Sequence, residues 1–207
     1  MNASRPYPAA CIAFPEKLTA QPRECRNSLK KLFAQHGVKA ATWRGMYQCI
    51  ELAGFAAAQA VCCLFDRQPL LPLAFARCAS QAPTLSVLTA RTPDAIAIQG
   101  QTWLDANHTG ADEAVIAFDG FVTTPAGRKD AVILDLRSYR DRVRQMRMAV
   151  PYRPHHDPAG FAVHRPKFIV SAPEGHDVEA LQQAFFRGVF AHDTGGRIWT
   201  ACADQRW

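Results

Sequence analysis

The chain lacks the short signatures that mark the common nucleotide, hydrolase and zinc sites. It has no GxGxxG, no GxxxxGK[ST], no GxSxG, no HExxH and no HxH. A dinucleotide cradle, a phosphate loop, a serine elbow and a helical metal pair therefore have no local support. No CxxC occurs among the seven cysteines, Cys11, Cys25, Cys49, Cys62, Cys63, Cys78 and Cys202. The odd count and the adjacent Cys62–Cys63 pair argue against both a disulfide framework and a zinc site. Cysteines inside apolar runs act as small hydrophobes, and this usage fits a reducing, cytoplasmic setting. The first 21 residues hold Pro6, Pro8 and Pro15 but no continuous apolar run, so no signal peptide is expected. Internal repeats and low-complexity tracts are also missing.

What is present reads as globular. The chain has 207 residues, 48% apolar and 20% charged, which suits one domain with a sizeable core. Residues 1–22 read as a Pro-rich N-terminal arm and residues 23–207 as a single domain. Cys49 to Phe65 is about as long as the shortest membrane-spanning helices. It carries Glu51 and Gln59 and much alanine, so a buried core helix is expected and no membrane partner.

The periodicity predicts a helix over Glu24 to His36 and a long apolar one over Met46 to Phe65. Leu70 to Cys78 and Leu85 to Ala90 read as strands. Thr92-Pro93-Asp94 starts a helix that runs to about Ala106, with Ile96, Gly100, Trp103 and Leu104 inward. Ala114 to Thr123 and Asp130 to Tyr139 form a hairpin around Thr124-Pro125-Ala126-Gly127. Gln145 to Arg153 and Phe161 to Val170 form another. A last helix covers Asp177 to Ala191, with Gly195-Gly196 as its stop and Ile198 to Cys202 as a short final strand. The expected fold is α+β: a mainly antiparallel sheet of about six strands packed by helices, in the order α-α-β-β-α-β-β-β-β-α.

Two constellations can carry function. In the first hairpin, a register with Phe118 facing Leu134 places Ile116, Phe118, Val122, Val132, Leu134 and Leu136 on the buried face. Asp119, Asp135 and Arg137 then gather on the other. Two carboxylates beside a cation can hold a divalent metal such as Mg²⁺. Asp119 followed by Asp135-Leu136-Arg137 resembles the restriction-endonuclease-like nucleases over about twenty residues. That likeness implies a metal-dependent phosphodiesterase, with Arg137 standing where the family has a lysine; an arginine does not share that proton chemistry. The plainer reading is a surface ion pair, with no cofactor.

The second constellation is basic. From Gly127 to Lys167 there are ten basic residues against four acidic ones, so this window carries the whole net charge of +6. Pairing Tyr152 with Ala162 lines Arg147, Arg153, Arg165 and Lys167 along one side of the second hairpin. Such a face suits an acidic protein or a phosphorylated ligand, and nucleic acid less well because few aromatics are interleaved. Its alternative is a solvated edge guarded by charge and by Pro151 and Pro166. The order of elements is similar in part to the roadblock and profilin-like adaptors, which implies a platform and carries over no residues. His155-His156-Asp157 at the hairpin tip lacks ligand spacing for a metal. The reading these features support is a non-catalytic binding or accessory protein acting through a basic sheet face, with self-association left open. The metal-dependent nuclease is its rival.

Overall fold

The computed structural model describes residues 12–13, 44–79, 81–89, 92–124, 127–140, 144–169 and 177–204. The predicted helix at Glu24 to His36 and nearly all of the Pro-rich arm lie outside them. The described elements are β1 (Ile12–Ala13), α1 (Arg44–Phe65), β2 (Leu73–Arg77), β3 (Thr84–Val87), α2 (Pro93–Ala106) and β4 (Glu113–Thr124). They continue with β5 (Gly127–Ser138), β6 (Arg144–Arg153), β7 (Ala162–Val163), β8 (Lys167–Phe168), α3 (Val178–Ala191) and α4 (Asp193–Cys202). The described strands pair with one another antiparallel, in the order β1-β8-β6-β5-β4-β2-β3, with β7 beside β6. The mixed α+β class and the antiparallel sheet are as expected.

α1 sits at the centre. It covers one face of the sheet, and α3 and α4 pack on its outer side. Ile50, Ala53, Ala57 and Val61 of α1 meet Val115, Ala117, Leu134 and Met148 of the strands beneath. Phe185 and Trp199 close the layer from outside, with their rings 5.8 Å apart. Each large side chain buried here contributes about 1.5–3 kcal/mol of transfer free energy. Burial of α1 within protein on both sides explains a helix apolar enough to cross a membrane by length and composition alone.

Glycine sets how closely these helices approach. A Cβ on Gly54 of α1 would lie 1.9 Å from the Phe185 carbonyl oxygen, and one on Gly188 of α3 would lie 1.8 Å from that of Glu51. Gly195 serves the same purpose in α4, where a Cβ would meet the Ala58 carbonyl oxygen at 2.5 Å. This corrects the sequence expectation for the C-terminus. Gly195-Gly196 does not end α3, and Ile198 to Cys202 is helical. A break at His192 separates the two helices, and the glycines lie within α4 because it docks on α1. The His192 ring caps α4, accepting from the Gly195 N–H at 3.0 Å.

The second face of the sheet is covered in part by α2, which packs Leu104 on Ala74, Ala114 and Ile116. Its start is as predicted: the Thr92 hydroxyl accepts from the Ala95 N–H and proline follows it.

Registers differ from expectation by one residue, with large consequences. Thr124 pairs with Gly127, so Phe118 faces Ile133 and Leu134 faces Ala117. The predicted register needed one more residue in the turn. A one-residue shift turns every side chain of one strand over relative to the other. Ile116, Phe118 and Val122 therefore share a face with Ile133, while Val132, Leu134 and Leu136 line the α1 side. Both sets are apolar because both faces are covered. In the second hairpin, Tyr152 pairs with Val163 rather than Ala162, and the returning strand splits into β7 and β8.

Candidate ligand-binding groove

The corrected register separates the proposed metal ligands. Asp119 pairs with Val132 on the α1 face, whereas Asp135 pairs with Ile116 and Arg147 on the other. Asp119 accepts a hydrogen bond from the Tyr152 hydroxyl at 2.9 Å. Burial raises its pKa above the ordinary aspartate value, and the charge of Asp130 adds to this. Asp135 is held by Arg147 through two parallel hydrogen bonds, the Nη2–Oδ2 contact being 2.7 Å. Arg137 is buried and reaches away from both, to Asp105 on α2 at 2.7 Å. The nuclease-like trio is thus three separate structural contacts. Among the described residues no three acids, histidines or cysteines gather as a metal set.

Three of the predicted basic residues divide between two places along β6. Arg147 and Lys167 share the second face, opposite Asp135 and Ala149 respectively. Arg153 lies six positions along β6 from Arg147, about 20 Å in an extended strand. Its guanidinium binds the Gly160 carbonyl at 2.6 Å, the Ala159 carbonyl at 3.2 Å and the Asp204 carboxylate at 3.2 Å, with Asp157 at 3.9 Å. Arg153 therefore fastens the β6–β7 turn to Asp204, just beyond α4.

That turn borders two concavities. Two open clefts, of about 500 Å³ and 560 Å³, meet at Tyr152, Pro154 and His156. One is charged: Arg128, Lys129 and Asp130 come from the start of β5, Asp157 from the turn, and Asp204 from beyond α4. The other is lined by Leu64, Pro69, His155 and Phe161, with Arg67 at its rim. His155 stacks on Phe161 (centroids 4.9 Å apart, planes at 19°) and donates through Nε2 to the Phe65 carbonyl at 2.8 Å. Phe65 meets Phe161 edge-on at 5.8 Å. His164, at the charged end, donates through Nδ1 to the Asp204 carbonyl at 3.2 Å, and burial lowers its pKa below the usual histidine value.

The charge balance of the groove follows from these contacts. The lining carries four cations, Arg67, Arg128, Lys129 and Arg153, against three acids, Asp130, Asp157 and Asp204, and Arg153 pairs with the last two. The Arg128 guanidinium lies 3.4 Å from the centre of the Phe121 ring, a cation–π contact that holds it without neutralising it.

A second polar cluster was not foreseen. Glu113, fully buried, receives Arg77 at 3.2 Å and Arg140 at 2.9 Å. Arg77 also contacts Glu51, which Arg187 of α3 bridges at 3.1 Å, and Arg140 binds Asp112. The network ties α1, β2, β4 and α3 together. Burial raises the pKa of Glu113, against the pull of the two arginines. Beside it the Cys49 thiol donates to the Ala114 carbonyl, and burial pushes its pKa up. A neutral, enclosed thiol is not a nucleophile. The five described cysteines are all free.

The chain matches no protein-family model, no curated protein and no solved structure.

Proposed function

We propose that the protein is a non-catalytic binding module that takes an acidic, aromatic-bearing peptide segment in the groove around the β6–β7 turn. The observation that carries this reading is the junction of a charged cleft and an aromatic cleft at Tyr152, Pro154 and His156. Arg67, Arg128, Lys129 and Arg153 outnumber Asp130, Asp157 and Asp204 by one, so the groove carries a small positive excess. The His155–Phe161 stack offers a flat apolar shelf for an aromatic side chain. Both clefts are open to solvent, which suits a segment of a larger partner better than a small molecule that needs enclosure. The partner chemistry is the acidic one expected from sequence; its seat is moved from the sheet face to the turn. Free thiols at five positions fit a cytoplasmic setting.

The test uses fluorescence anisotropy with a labelled random glutamate–tyrosine copolymer, and a lysine–tyrosine copolymer as control. The glutamate polymer should bind the full chain and the lysine polymer should not. Arg67→Glu with Arg128→Glu should weaken binding about tenfold or more, a change of about 1.4 kcal/mol. Phe161→Ala should weaken it independently. Binding that ignores all three substitutions, or no binding to the glutamate polymer, refutes the proposal.

A further inference from the structure

At the margin of the sheet farthest from the basic segment, no described strand pairs with the outer edge of β3. Its four residues are all exposed, and Leu85 and Val87 leave 49% and 48% of their surfaces open. β3 ends the strand order and pairs with β2. The register shows which backbone groups face outward. The Leu88 N–H donates to the Pro72 carbonyl at 2.9 Å. Alternation along an antiparallel ladder then makes Ser86–Ala74 and Thr84–Ala76 the next bonded pairs. Leu85 and Val87 therefore turn their N–H and C=O groups away from β2, and the same two residues carry the exposed apolar side chains. The usual protections of an edge are missing here: Thr84–Val87 contains no charged residue, no proline and no bulge.

We propose that β3 pairs with β3 of a second copy of this chain across a two-fold axis, joining two sheets into one. In an antiparallel register that centres Ser86 on the partner's Ser86, Leu85 faces the partner's Val87 and Val87 faces the partner's Leu85. Every outward N–H and C=O of the two residues is then bonded, and the apolar side chains pair on one face. Sliding by two residues brings Pro83, which has no N–H, opposite the partner's Val87, or runs the pair off the strand. Charge selects this edge for self-association. The net +6 lies within residues 127–167, on β5, β6 and β8, with β4 and β2 between them and β3. Two copies joined at the uncharged β3 keep their basic segments apart. The contact is small, so association is weak and concentration-dependent. It involves neither cleft and stands whether or not the groove binds a peptide.

Sedimentation velocity on the full chain from micromolar to millimolar should show the mass rise from 22.8 kDa towards twice that value. Val87→Lys and Leu85→Pro should each weaken association about tenfold or more. Proline at 85 removes an outward N–H and spares the β2 ladder, so far-UV circular dichroism and Tm should be unchanged. Ser86→Cys should cross-link under mild oxidation, because residues facing each other at a non-bonded site lie about 4.5 Å apart. Thr84→Cys, which faces the partner's Leu88, should not. A mass fixed at that of one chain, association indifferent to Val87→Lys, or equal cross-linking at 84 and 86 overturns the proposal.

Discussion

The Tyr152 hydroxyl on β6 donates to the Asp119 carboxylate on β4 at 2.9 Å, reaching across the intervening strand β5. This bond draws the Asp119 pKa down against the burial that raises it. Tyr152→Phe should therefore raise the Asp119 pKa further. Carbon-detected NMR titration of the carboxyl group reads this directly; an unchanged or lower midpoint contradicts it.

His164 gives the clearest pH dependence. Its folded pKa is depressed by burial below 6.5, so folding disfavours the protonated ring. The stability contribution is whole above the unfolded value and is lost as pH falls through the folded one. Urea midpoints measured from pH 7.5 downward should drop below about pH 6.5. In His164→Asn, which keeps a donor for the Asp204 carbonyl, that part of the drop should disappear.

Gly188 stands where α3 crosses α1, with the Glu51 carbonyl 1.8 Å from any added Cβ. Gly188→Ala should cost about 3 kcal/mol, the upper part of the usual range for overpacking a core. Helix propensity alone predicts the opposite sign, since alanine is the better helix former. Chemical denaturation decides between them.

Glu113→Ala leaves Arg77 and Arg140 without the buried carboxylate they share. Removing one partner of a buried charge cluster costs about 3–5 kcal/mol. Glu113→Gln should recover part of that loss, because its amide oxygen still accepts from an arginine. Equal stability of the two variants in thermal melts would show that charge and hydrogen bonding there contribute nothing.

Asp135→Ala should leave Mg²⁺ titration calorimetry unchanged, since Asp119 points to the other face of the sheet. The half-exposed Arg147 that loses its partner should cost no more than about 1 kcal/mol.

Much of the fold was legible in the residues themselves. The apolar run at Met46 to Phe65, the Thr92-Pro93 helix start, the long hairpin around residues 124–127 and the helix after Asp177 depend on local chemistry, and local chemistry is written in sequence. Gly195 was misread for a related reason. A glycine pair after a helix commonly marks a stop, and only the approach of α4 to Ala58 shows that it serves packing.

The site was far less legible. Alternation assigns a strand's two faces but not which face of its neighbour they join; that depends on the residue count of one turn. With α1 beneath and α2 above, both faces of β4 are apolar at its start, so hydrophobicity gave no check on the register. The histidines at the hairpin tip were visible as a cluster, yet their value lies in Phe65, Phe161 and Arg128, which other segments bring to them. The sequence by itself determined the elements, the local charge and the α+β class, because capping, periodicity and turn residues act over a few positions. Only the tertiary structure decided which side chains meet, because contacts across strands and helices are fixed by register and close approach, and a single residue or a single Cβ changes both.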